Sequence, residues 1–257
     1  MPRIHKPAGR KRDAQDCEAN GESCGMPRIR KPYLIKKIVF LFMATDYHSI
    51  LIPGSIYHFY NKAVNNRKSF YEERDYRRFI KKFKKYFSPY LNVFAYCLIP
   101  NHFHFLVQVK EIDGVVTMYL KKENTNAANE YLSDHCSIND FITDQFRRFL
   151  SSHSLYINKK YNRSGPLFLT KSKRTEITSE FKFYDLFCYI HHNPIHHGLT
   201  TTYEDWPYSS YLDYSGTSQE PGILTMLEIL GHGNLEYGFN MFMNLHKEFK
   251  EKFNERG

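Results

Sequence analysis

Between Ser55 and Pro194 the spacing of apolar residues alternates between two periods, and the order of those periods constrains the fold most. "SIYHFYNKAV" alternates as a strand does, and "NNRK" after it is a turn. Ser69 and Glu72 have the S-x-x-E spacing of a capping box, and the helix they would open carries Tyr76, Phe79, Ile80, Phe83 and Phe87 on one stripe. Its acids come first and its lysines last, as a helix dipole favours. "NVFAYCLI" and "HFHFLVQVK" are strands joined by the tight "IPN" connection. A helix from about Asp140 to Tyr161 puts Phe146, Phe149, Leu150, His153 and Tyr156 on one side, and "RSGP" breaks it. "LFLTKSKRTEI" is a fourth strand. Ser179 then caps a helix through Phe183, Leu186, Phe187 and Ile190, which should stop at "HHNP" because proline cannot continue it. Strand, helix, strand, strand, helix, strand, helix is the β-α-β-β-α-β ferredoxin-like order plus one helix. The expected class is α+β: an antiparallel sheet, helices on one face, the other face free for a ligand, and an extra helix at the C-terminal end.

The flanks are different. "MPRIHKP" at Met1 recurs as "MPRIRKP" at Met26, around a polar, aperiodic stretch. Residues 1–42 therefore form a disordered basic leader in this reading. Two origins fit it: a tail that touches DNA, or a start codon placed too early, with Met43 or a nearby codon the true start. Residues 43–214 make the main domain, with a weak Asn-rich helix over 113–136. "YEDWPYSSYLDY" is a packed loop, and residues 215–257 make a helical tail with two amphipathic stretches.

Apolar residues make up 42% of the 257 and aromatics 16%, which excludes a disordered chain. No apolar run is long enough to span a membrane, and Ile38–Ala44 is too short for a secretory core. Five cysteines without paired spacing suggest reduced thiols in the cytoplasm, with Cys97 and Cys188 buried. The net charge of +9 is clustered: nine Lys/Arg against three acids over Asn66–Lys85, and six against none over Lys159–Arg174. One such cluster is an ordinary solvated face; two together point to a polyanion, most often nucleic acid.

His102 and His104 lie two apart on a strand, so they share a face, while Phe103 and Phe105 share the other. Two neutral imidazoles so placed grip a metal ion well. The plainer reading is two boundary histidines in a chain that has 13. On the last helix Tyr189 and Asn193 are neighbours at i, i+4, at one edge of its apolar stripe. An amide oxygen can serve as third ligand, and a phenol beside a metal is a candidate nucleophile. Packing is the alternative for that tyrosine, one of 20.

"LIPNHFHFLV" resembles the HUH motif of histidine, bulky hydrophobic, histidine. "YIHHNPIHHGL" followed by "WPYSSY" is similar to the signature of the REP-associated tyrosine transposases and their single-tyrosine relatives in small insertion sequences. "NKKYNRSGPLF" is similar to that family's segment before the fourth strand. The resemblance runs from about Ser55 to Tyr214. It implies the ferredoxin-like HUH endonuclease fold, His102, His104 and Asn193 as ligands of a divalent metal (Mg²⁺ or Mn²⁺), and Tyr189 as the nucleophile. It implies a metal-assisted nick in single-stranded DNA with hairpin structure, a 5′-phosphotyrosine intermediate and strand transfer. The basic residues then contact DNA: Arg163, Lys171, Lys173 and Arg174, with Tyr57 and Tyr60 stacking on bases and His196 at the helix end. His196 and His197 stand where many members have an arginine and a small residue. A bacterial, nucleoid-associated enzyme is implied; some relatives dimerise and others act alone. The rival readings are a catalytically silent DNA-binding protein of the same fold, a hydrolase in which water attacks, and a structural protein with accidental histidines.

Overall fold

The computed structural model describes residues 48–111, 138–169, 172–215, 226–228 and 230–255, all within the unit 45–257. The leader 1–42, the expected helix over 113–136, Lys171 and the tail residues 216–225 lie outside the described residues. The elements in chain order are β1 (Ile56–Lys62), α1 (Glu73–Phe87), β2 (Leu91–Ile99), β3 (His102–Val109), α2 (Ile138–Lys160), β4 (Lys173–Glu176), α3 (Glu180–His196), α4 (Tyr211–Ser215) and α5 (Leu235–Asn254). The sheet order is β2-β3-β1-β4, with antiparallel neighbours throughout. β1 and β2 both oppose β3, so they run parallel to each other and α1 is the crossover between them. This is the expected α+β order.

Strand alternation builds two cores. Tyr57 and Phe59 of β1 and Phe103, Phe105 and Val107 of β3 face α1 and α2. There Phe83 stacks on Phe105 at 3.8 Å and Phe59 on Phe146 at 4.5 Å. A bulge between Val93 and Ala95 turns Phe94 and Ala95 to the opposite face with Cys97 and Ile99. That face is not free as expected: α3 packs against β2 and β3, and α5 packs against α3. The stripe of α3 needs an apolar partner, and the sheet is the one within reach.

A buried chain of hydrogen bonds joins these layers. His246 Nδ1 lies 2.8 Å from the Phe242 carbonyl, so it donates and leaves Nε2 to accept from His191 Nδ1 at 2.8 Å. His191 Nε2 must then accept from Ser210 Oγ at 2.7 Å, while Ser210 Oγ accepts the Tyr96 N–H at 2.8 Å. Each imidazole is neutral and fully partnered, so the chain runs in one direction from β2 to α5. Residues 208–210 also bond along β2, through Leu98 N–H to the Tyr208 carbonyl and Ser210 N–H to the Tyr96 carbonyl, which covers the sheet edge.

Three local expectations change. The N-cap of α1 is Glu72, not Ser69: Asp75 at N3 accepts the Glu72 N–H, while Ser69 Oγ donates to the Pro100 carbonyl. Ser69 is fully buried by the β2–β3 turn, so its hydroxyl is used there. α3 does not stop before Pro194 but continues to His196, because proline costs only the bond to Ile190 and the helix ends one turn later at Gly198 with φ +65°. The fourth strand begins at Lys173; Phe168 contributes only an isolated bridge to Ala63.

Candidate active site

His102 and His104 come from β3, Tyr189 and Asn193 from α3, and the sheet face between them is where β3 meets β1. The His102 and His104 rings are 5.1 Å apart and nearly perpendicular. Burial holds both imidazoles neutral: it pulls His102 down to about 4, with help from the nearby His197, and His104 well below the usual range, with help from His58 and His102.

The hydrogen bonds assign the bare nitrogen of His102. Asn101 Nδ2 donates to Asn66 Oδ1, which turns Asn101 Oδ1 to His102 Nδ1 at 2.8 Å. An amide oxygen only accepts, so the His102 proton sits on Nδ1 and Nε2 carries a lone pair. Asn193 Nδ2 donates to the Tyr189 carbonyl at 3.1 Å, which aims Asn193 Oδ1 at that same Nε2, 3.4 Å away. Two acceptors therefore face each other, an arrangement that a bound cation would satisfy. His104 Nδ1 is 2.8 Å from His58 Nε2, while His104 Nε2 is enclosed with no partner among the described residues. The donor set of two imidazoles and an amide oxygen fits a divalent cation. No three His, Cys, Asp or Glu side chains among the described residues are grouped to hold a metal, so the third ligand would have to be the amide.

Tyr189 lies one helical turn before Asn193, half-buried, its ring edge-on to His104 at 6.1 Å. Burial raises its pKa, and the neighbouring Cys97 adds to the rise.

Over 171 residues the chain is 24% identical to a protein of Haemophilus influenzae (strain ATCC 51907 / DSM 11121 / KW20 / Rd) named putative REP-associated tyrosine transposase, covering 65% of this chain and 85% of that one. The chain resembles the REP-associated tyrosine transposases. No family model matches it. A solved structure described as the REP associates tyrosine transposase bound to a REP hairpin aligns over 66% of this chain and 85% of that one, with a TM-score of 0.47 and 17% identity.

The other residues singled out from the sequence separate. Lys173 pairs with Tyr60 across β1–β4, and its Nζ lies over the Tyr60 ring at 5.9 Å, on the histidine face. Arg174 is on the opposite face, as alternation requires. Its guanidinium donates to the Ser49 carbonyl, Thr143 Oγ1 and Asn139 Oδ1, which ties the segment before β1 to α2. Arg163 follows α2, and two of its guanidinium nitrogens are enclosed without a partner among the described residues. His196 is exposed, with its ring 6.4 Å from that of Tyr189. Tyr57 is not a stacking platform: it is fully buried, and its hydroxyl bonds Ile50 O and Ile52 N.

Sequence reasoning missed His58 and His197. His58 stacks on Tyr60 at 4.6 Å and holds His104; His197 lies 5.0 Å from His102, ring to ring. The alternation of "YHFY" does put His58 and Tyr60 on one face, and pairing β1 with β3 would have shown which one.

Proposed function

We propose that the protein nicks and rejoins single-stranded DNA through Tyr189, on a substrate that carries a hairpin. The observation that carries this reading is the convergence of a half-buried phenol with two neighbouring imidazoles and an amide oxygen aimed at one of them. A divalent cation there, Mg²⁺ or Mn²⁺, would polarise the scissile phosphate and stabilise charge on the leaving oxygen. His102 and His104 stay neutral and present Nε2; Asn193 presents Oδ1, held by the Tyr189 carbonyl. Tyr189 Oη attacks phosphorus, its proton passes to solvent, and the P–O3′ bond breaks. The leaving oxygen takes up a proton, so the products are a 5′-phosphotyrosine and a free 3′-OH. Attack by the 3′-OH of another strand reverses the step, one bond formed for one broken. Lys173, on the same face, meets backbone phosphate. The hairpin comes from the motif resemblance, and a nucleoid location follows from such a partner.

The test is nicking of labelled single-stranded hairpin DNA with Mn²⁺ by the wild type and by Tyr189→Phe. Loss of the nucleophile lowers the rate by on the order of 10³-fold or more. Equal nicking by the variant would transfer the attack to water. Binding without nicking by the wild type would leave a DNA-binding protein of the same fold.

A further inference from the structure

α3 carries two functional side chains on one edge, and its anchors lie on the opposite side. Successive residues turn by about 100° on a helix, so His191 stands about 200° from both Tyr189 and Asn193. Pro194 has no N–H, so the Ile190 carbonyl loses its bond within the helix. The interrupted turn, Ile190 to Pro194, is the one that relates Tyr189 to Asn193.

Residues outside α3 hold that turn. His191 is fully buried; its Nδ1 donates to His246 Nε2 of α5 at 2.8 Å, and its Nε2 accepts from Ser210 Oγ at 2.7 Å. The ring is gripped at both nitrogens by segments that follow α3 in the chain. His192 is equally buried. Tyr203 Oη donates to the His246 carbonyl at 3.2 Å and so accepts from His192 Nδ1 at 3.1 Å. The His192 ring also meets Phe253 and Phe249 of α5, at 4.5 and 5.4 Å. α5 is itself anchored. Phe242 stacks on Tyr214 at 4.5 Å, and Gly238 lies so close to the chain at Leu227 that a Cβ there would sit 2.0 Å from the Leu227 carbonyl oxygen. α5 lies beyond the stretch from Ser55 to Tyr214 that carries the family resemblance.

We propose that His246 is a positioning residue: through His191 it fixes the rotation of α3, and with it where Asn193 and Tyr189 stand against His102 and His104. This rests on the metal and tyrosine reading of the histidine face. Side-chain tips lie about 5–6 Å from a helix axis, so a rotation of about 10° moves them by roughly 1 Å. A misplacement of that size costs on the order of 10²-fold in rate.

Two amide substitutions in the full chain separate the link from the packing. His246→Gln puts an amide where Nε2 lies and still accepts from His191. His246→Asn puts one where Nδ1 lies, which reaches the Phe242 carbonyl but stops short of His191. Phe239→Ala thins the same core without touching the histidine chain. All are compared at a temperature where circular dichroism shows each variant folded. In calorimetry His246→Asn should bind Mn²⁺ about tenfold more weakly than the wild type, because Asn193 is turned away from His102. On hairpin DNA with a single-stranded tail its kcat should fall by at least about tenfold with KM unchanged. His246→Gln and Phe239→Ala should match the wild type in both measurements. Wild-type Mn²⁺ affinity and kcat in His246→Asn would overturn the proposal. So would equal losses in His246→Asn and His246→Gln, or in Phe239→Ala, which would mean lost packing alone. A wild type that neither binds Mn²⁺ nor nicks DNA would overturn the reading of the histidine face, and the positioning role with it.

Discussion

At the scale of single residues the account rests on where protons sit. His102 Nδ1 donates to Asn101, which leaves its Nε2 lone pair for a cation; His104 Nε2 joins it as a ligand in the tautomer where His104 Nδ1 donates to His58 Nε2. His104→Ala should therefore abolish Mn²⁺ binding in calorimetry, and His58→Ala should weaken it by about 10–100-fold, since an outer partner orients its ligand. Equal affinity of His58→Ala and wild type would mean that the His58 bond does not orient the ligand. Because burial raises the Tyr189 pKa, the reactive phenolate grows with pH, and kcat should keep climbing to pH 9 or beyond. A plateau below pH 9 would show that the bound substrate lowers that pKa after all. The two strand histidines and the Tyr189–Asn193 pair were legible in the sequence because each is spaced by a local period. His58 was not, because its partner lies 46 residues away and depends on strand pairing. Lys173 and Arg174 belong to one basic run in the sequence, but as adjacent strand residues they face opposite sides of the sheet.

At the scale of elements, the α1 N-terminus is built around one buried carboxylate. Asp75 is fully buried and accepts from Lys160, Tyr156, Tyr161 and the N–H groups of Tyr71 and Glu72. Burial alone would raise its pKa, but the bonds from Lys160 and Tyr161 with the others hold it below the usual range. Asp75→Ala removes the shared acceptor of Tyr156, Tyr161 and two backbone N–H groups, while Lys160 keeps Glu72, and should cost about 2–3 kcal/mol in denaturant melts; a loss under about 1 kcal/mol would contradict this role. At the other end of the site helix, Gly198→Ala forces a side chain into φ +65° and should cost roughly 1 kcal/mol. Helix existence was legible from the 3.6 period, while helix ends were not. Ser69 matches a capping spacing but lies where the turn buries it, and Pro194 matches a stop signal but sits in the last turn.

At the scale of the whole molecule, buried neutral histidines set the response to acid. Burial pulls His58 down to about 3, and His153, His192 and His246 to about 4. The unfolded chain protonates these groups first, from about pH 6.5 downward. It then binds more protons than the folded chain, so stability falls as pH falls from about 6.5 towards 4, by about 1.4 kcal/mol per pH unit for each fully buried group such as His153. The melting temperature should drop between pH 7.5 and pH 5, and more gently in His246→Gln, whose amide can replace both ring bonds. A melting temperature that ignores pH over this range would contradict the buried, uncharged network. The sheet order follows from the order of periods along the chain. The covering of its second face does not, because the tail that supplies α5 has a helical period but no local sign of what it packs against.

The most direct test of the central claim is to map the covalent bond. The wild-type protein would be incubated with hairpin DNA and Mn²⁺, denatured and digested, and the peptide that carries the nucleotide sequenced by mass spectrometry. The account predicts a 5′-phosphate ester on Tyr189 and on no other residue. A linkage at another tyrosine, or cleavage with no protein-bound nucleotide at any time point, would contradict it.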